Sequence, residues 1–420
     1  MTASDRIQRH LPELMADLAS AGVPDYFDDL LQETARVRQR PAWSSLERWL
    51  PVDTTLAPVA GRARLWSGLA ILALVGLLAA AALLAYVGSR PTRLPAPFGP
   101  AGNGLMYYSS ADGDIYSVDS SGLAPKSIVT GPEVDAGPLP SRDGRRIAFT
   151  RKAVGGDQVV VAEADGSGPR TLPGTWTDFS EIDWSPDSSR IAIVSSVAGV
   201  PSLTVLPVNG SPSTTLPLGM EVHDFWYLPD GRFVFLGVKD AVGATTYGFF
   251  VTDAGGANPR AILPPSTVDL DWLGMSPSPD GRSLVYHVWR DPDEHGRLHV
   301  VDIATGTDRP LVIDGTTVDE WYENPQFSPD GTHIMCLRGG GEVSRITVVP
   351  VSGGPAVSLG PVGGVGEAAP SGLYSPDGKT ITAYYPALKE LWLLDASGNG
   401  NDRKLTLPVN DLPTWQRVAP

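Results

Sequence analysis

A chain of 420 residues is too long for one ordinary core, and 46 glycines, 39 prolines and 42% hydrophobic residues point to many short strands joined by turns rather than to disorder. The formal charge of -15 excludes nucleic acid as a partner, because binding a polyanion requires clustered Lys and Arg, and it favours a cation or a basic partner. The single cysteine, Cys336, excludes an intrachain disulfide and a cysteine-based zinc centre.

Residues 1–64 predict a cytoplasmic helical segment. Ile7, Leu11, Leu14, Met15 and Leu18 recur at helical spacing. A second helix opens at Pro24, with Asp25, Asp28 and Asp29 in its first turns and Arg36 and Arg38 in its last. Trp43 and Trp49 among Arg40 and Arg48 suit a membrane interface. Residues 65–87 carry no charge and are long enough to cross a bilayer as one helix, with Trp66 and Tyr86 at its ends. Six arginines between Arg36 and Arg64 precede it and only Arg90 and Arg93 follow closely, so the N-terminus is expected in the cytoplasm and the rest outside. This layout resembles membrane-bound anti-sigma factors, which implies a cytoplasmic partner for residues 1–64, although the region has only His10 and none of the cysteines of their zinc-binding domains. Residues 88–103, rich in Pro and Gly, read as a linker.

From residue 104 to 420 one pattern repeats. The tetrapeptides at Ser141–Gly144, Ser185–Ser188, Leu228–Gly231, Ser278–Gly281, Ser328–Gly331 and Ser375–Gly378 are variants of Ser-Pro-Asp-Gly, with aspartates 43 to 50 residues apart. Their chemistry is that of a tight turn, so these aspartates are structural. An apolar strand follows each turn, a third strand follows that, and a short outer strand opens on a basic residue, as at Arg170, Arg260 and Arg403. With these motifs the region resembles the WD40-like repeats of TolB and of peptidase-associated propellers, which implies an all-β propeller. The N-terminal end supplies three strands, around Leu105, Ile115 and Ile128, and residues 413–418 supply an inner strand carrying Trp415. Together they close a seven-bladed ring with no open edge, one blade more than the six associated with TolB.

No hydrolase elbow, zinc-protease motif or phosphate loop is present, so the fold is expected to bind rather than catalyse. The candidate binding residues are acids that precede each turn. Asp135, Asp178, Glu221, Asp269 with Asp271, Asp319 with Glu320, and Glu367 stand before the six turns, and Asp411 stands before the last strand. In a propeller these carboxylates ring one mouth of the central channel, where confined like charges attract a cation or a basic segment. Oxygen ligands of this kind suit Ca²⁺ or Mg²⁺ rather than zinc. Trp184, Trp226, Trp272, Trp321 and Tyr322 lie near the same strands and read mainly as core. Three functions follow: a membrane-anchored, extracytoplasmic binding or sensory propeller for a protein, peptide or cation; an anti-sigma-like transmembrane regulator; and a hydrolase or lyase working at the acidic mouth.

Overall fold

The computed structural model describes residues 71–79, 94–241, 244–266, 274–288 and 296–420. Residues 1–91 and 92–420 form separate compact units. The cytoplasmic segment expected over residues 1–64 lies outside the described residues. Of the expected membrane span, residues 71–79 are described and are helical, with every residue exposed. No helix among the described residues is long and apolar enough to cross a membrane.

Residues 94–420 build seven four-stranded antiparallel sheets. Each is a blade, numbered here in chain order, running from an inner to an outer strand. Blade 1 is closed as the repeat pattern requires: the C-terminal strand Thr414–Val418 pairs with Gly102–Ser109, which pairs in turn with Ile115–Val118 and then Lys126–Val129. Met106 faces Trp415 and Tyr107 faces Thr414 in that register. Trp415 is buried and its indole N–H donates to Thr382 Oγ1 of blade 7 at 2.7 Å, so the closing strand is fixed to both neighbours. The first strand begins at Gly102, two residues before the sequence-based boundary.

Alternation in the strands places apolar residues on both faces of each blade, and they meet at the seams. Seven hydrophobic clusters each join two adjacent blades; Ala148, Val161, Trp184, Ile191 and Leu206, for example, join blades 2 and 3. Cys336 is part of the cluster between blades 5 and 6, and burial pushes its thiol up to about 12, so it packs as an inert small residue.

The tetrapeptides make the turns between inner and second strands. In five of them the serine hydroxyl donates to the turn aspartate, as Ser141 Oγ does to Asp143 Oδ1 at 2.6 Å, and accepts from the backbone N–H five residues after the serine, as from Arg146 N at 3.0 Å. The fourth position is left-handed throughout, including Ser188 at φ 56 where glycine is replaced. These turns define one face of the ring, the turn face. The opposite face carries the connections from each outer strand to the next inner strand and is called the loop face.

Candidate functional site

The inner strands of blades 2, 3, 4 and 6 start at Asp135, Thr177, Glu221 and Glu320 and point their first residues toward the loop face. The predicted acids that are described therefore lie at or before the loop-face ends of their inner strands, because each blade enters the ring from the same side. Asp135, Glu221 and Glu320 open their strands, Asp178 is second in its strand, and Asp319 precedes Glu320. Glu367 lies in a short 3-10 turn before the blade 7 inner strand, and Asp411 three residues before Thr414. Asp269, Asp271 and Trp272 lie outside the described residues.

These acids differ sharply in their surroundings. Asp135 is buried and is gripped from two sides by Arg151, which sits opposite it on the second strand, at 2.7 and 2.8 Å. Glu320 receives Arg338 at 2.8 and 2.9 Å; burial alone raises its pKa, but the hydrogen bonds from Arg338 and the Thr317 N–H together with the charges of Arg338 and Arg297 outweigh it and hold the carboxyl below its usual range. Asp411 accepts from the backbone N–H groups of Ser109 and Gly137, tying blade 1 to blade 2. These three serve the ring itself. Asp178, Asp319 and Glu367 are exposed, and Glu221 lies 3.3 Å from His223. No group of three or more metal-ligating side chains converges among the described residues.

Deeper in the channel lie acids that the sequence reading passed over. Glu181 of blade 3 and Asp224 of blade 4 stand on adjacent inner strands. Glu181 keeps accessible surface toward the channel, yet the ring around it removes bulk water, so burial first and then the charge of Asp183 raise its pKa. Asp224 is pushed up to about 8, by burial and then by Glu181, against the pull of the Phe225 and Met275 backbone N–H groups. Glu323 of blade 6 is raised by burial. Both Glu181 and Asp224 stand six residues before their turn aspartates, closer to the turn than the acids of the mouth.

The channel holds a chamber of about 310 Å³, lined by residues of all seven blades, including Glu181, Trp226, Phe327 and Trp415. A ring of side chains laces its wall. Asp183 accepts from Tyr227 N at 3.2 Å, Ser276 from Phe327 N at 3.4 Å and Gln326 from Tyr374 N at 3.2 Å, each joining one inner strand to the next. Asp183 also receives Arg142 at 2.6 Å, and burial pushes its pKa up despite that pair. The turn-face end of the chamber is occupied by the segment before blade 1. Phe98 lies under the Arg142 guanidinium, 4.6 Å from ring centroid to Cζ, and Arg417 donates to the carbonyls of Ala96 and Gly99. The last part of the predicted linker is thus a docked plug.

The remaining sequence candidates are packed. Trp184 is fully buried with its N–H on Leu139 O, Tyr322 is buried, and Trp226 and Trp321 pack against the seams. His287 is buried and pushed down to about 4, which keeps it neutral, and His299 contacts Asp308 at 2.9 Å.

No protein-family model and no curated protein matches the chain. Solved structures do. The tricorn protease shares 11% identity at a TM-score of 0.55, over 78% of this chain and 36% of its own, so this chain spans about a third of that enzyme. An oligogalacturonate lyase in complex with manganese shares 12% at 0.53, over 73% of this chain and 84% of its own. TolB from Acinetobacter baumannii shares 16% at 0.48, over 74% and 82%. The likeness to the protease and the lyase is one of fold alone.

Proposed function

We propose that this chain is a membrane-anchored, non-enzymatic binding propeller facing the cell exterior, whose loop-face mouth receives a cationic group of a protein or peptide. The observation that carries this reading is the Glu181–Asp224 pair. Two carboxyls on neighbouring strands are each driven toward the protonated form by burial and by like charge. A cation entering between them lowers both pKa values and takes up the charge that the channel otherwise suppresses. The exposed acids at the mouth, Asp178, Asp319 and Glu367, supply the field that draws such a partner in. The neutralised pairs Asp135–Arg151 and Glu320–Arg338 are scaffold in this reading.

Binding is then linked to proton release. Octalysine titrated into the full chain by calorimetry at pH 7, in buffers of different ionisation enthalpy, is expected to release protons. In the Glu181→Gln/Asp224→Asn variant that release disappears and affinity falls about tenfold or more, the equivalent of ~1.4 kcal/mol. Identical affinity and proton count in parent and variant defeat the reading.

A further inference from the structure

The outer strands carry a second pattern, one that concerns the turn face. Aligned by register on the third strands, Lys126 faces Ser117, Arg170 faces Val161, Arg260 faces Val251, Arg309 faces Val300 and Arg403 faces Leu393. At the same position blade 3 has Thr214, facing Val205, and blade 6 has Val357, facing Val348. Five blades therefore offer a long cation at one structurally equivalent place, and two do not.

Three of the five cations reach across the seams. Arg260 donates to Ile303 O of the next blade at 3.0 Å, and Arg309 to Val351 O at 2.8 Å. Arg403 donates to Ser121 O at 3.1 Å and also to Ser120 O. Ile303 and Val351 occupy matching positions: each lies three residues past the third-strand register residue, and each N–H donates to the carbonyl just before the second strand, Arg282 O and Thr332 O. Ala396 of blade 7 is the next member of the series, with its N–H on Lys379 O. The blade facing it is blade 6, where Val357 replaces the arginine. Val357 lies against Gly398 and fills the room of an aliphatic stem, but it brings no head group to Ala396 O.

Two crevices lie beside the two outer strands that carry no cation at this position. A groove of about 850 Å³ follows blade 6 and a smaller one of about 330 Å³ follows blade 3. The larger groove is walled by Val357, Ala396, Asp330 and Asp395. Tyr374 lies at its base, 6% exposed, with a hydroxyl that has no hydrogen-bond partner. Lys379 and Arg403 also border it; Arg403 is committed to blade 1, and Lys379 is exposed.

We propose that the seam between blades 6 and 7 is a receptor for an arginine side chain of a partner protein or peptide. The partner's guanidinium takes the place that Arg260 and Arg309 occupy from within, donating to Ala396 O with the carboxylates of Asp330 and Asp395 beside it. The molecule itself displays the ligand geometry at two other seams. This site is on the opposite face from the acidic mouth and stands independently of it.

The test uses the full chain and the peptide acetyl-Gly-Arg-Gly-amide, with its citrulline counterpart as a neutral isostere. The arginine peptide is expected to bind at least tenfold more tightly, and binding is expected to vanish in Val357→Arg, where the chain supplies its own clamp. Val357→Arg is also expected to melt no lower than the parent. Lys379→Glu, a surface change that does not depend on the seam closing, is expected to tighten arginine binding about threefold. Glu181→Gln/Asp224→Asn leaves arginine binding unchanged, which separates this site from the channel. Equal affinity for arginine and citrulline, no binding of either, undiminished binding to a folded Val357→Arg, or no gain in Lys379→Glu each overturns the proposal.

Discussion

Asp224 gives the sharpest thermodynamic prediction. In the unfolded chain it titrates near the usual 3.8, and in the channel it is pushed up to about 8, by burial first and by Glu181 second. Between those values the unfolded chain holds fewer protons at this site than the folded chain. Stability therefore falls as pH rises from about 4 to about 8 and is flat above. At ~1.36 kcal/mol per unit the gap sets an upper bound of about 6 kcal/mol. Asp224 keeps part of its surface and the channel admits water, so screening reduces the expected cost to about 2–3 kcal/mol. Asp224→Asn retains an oxygen for the Phe225 and Met275 N–H groups and removes the charge. Calorimetric melting of the full chain should show the variant above the parent by roughly 3–5 °C at pH 8.5 and by less than about 1 °C at pH 4.5. An equal difference at both pH values, or a lower Tm at pH 8.5, refutes the reasoning.

Other perturbations test the scaffold. Arg309→Met removes the donor to Val351 O and should cost about 0.5–1.5 kcal/mol in urea unfolding, and in a double variant with Arg260→Met the two losses should add because the clamps lie at separate seams. Trp415→Ala empties the closing seam and strands the Thr382 hydroxyl; a loss of about 3–5 kcal/mol is expected from the urea midpoint. Gly144→Ala combines φ 69 with a methyl group directed at Arg417 O, so its Tm should drop well beyond that of Gly231→Ala, where the same left-handed turn faces open space.

Much of the ring was readable from the residues because its signals are local. The Ser-Pro-Asp-Gly turns carry their own hydrogen bonds within five residues, and the unmatched strands at Leu105 and Trp415 each announced a missing partner. Charge compensation was not readable in the same way. Asp135 and Arg151 are 16 residues apart and meet only because the pairing register sets them opposite. A bulge between Ala136 and Leu139, at left-handed Gly137, intervenes in that strand and hides the spacing. Glu181 and Asp224 were overlooked for a related reason: aligning acids by distance from the turn singled out the mouth, whereas the depth of a carboxyl decides how far its charge is suppressed. The basic residues that open the outer strands were visible as a pattern, but their purpose needed the neighbouring blade.

Closure of blade 1 also sets the timing of biogenesis. Leu105 and Gln416, which share a hydrogen bond, are separated by 311 residues. At a synthesis rate of about 5–20 residues per second, the first three strands wait on the order of 15 to 60 s for their fourth. Throughout that interval the Gly102–Ser109 strand presents a bare edge to every other nascent chain nearby. The Met106–Trp415 register is consequently the step that seals the ring, since a chain released before Trp415 lacks the strand that covers this edge.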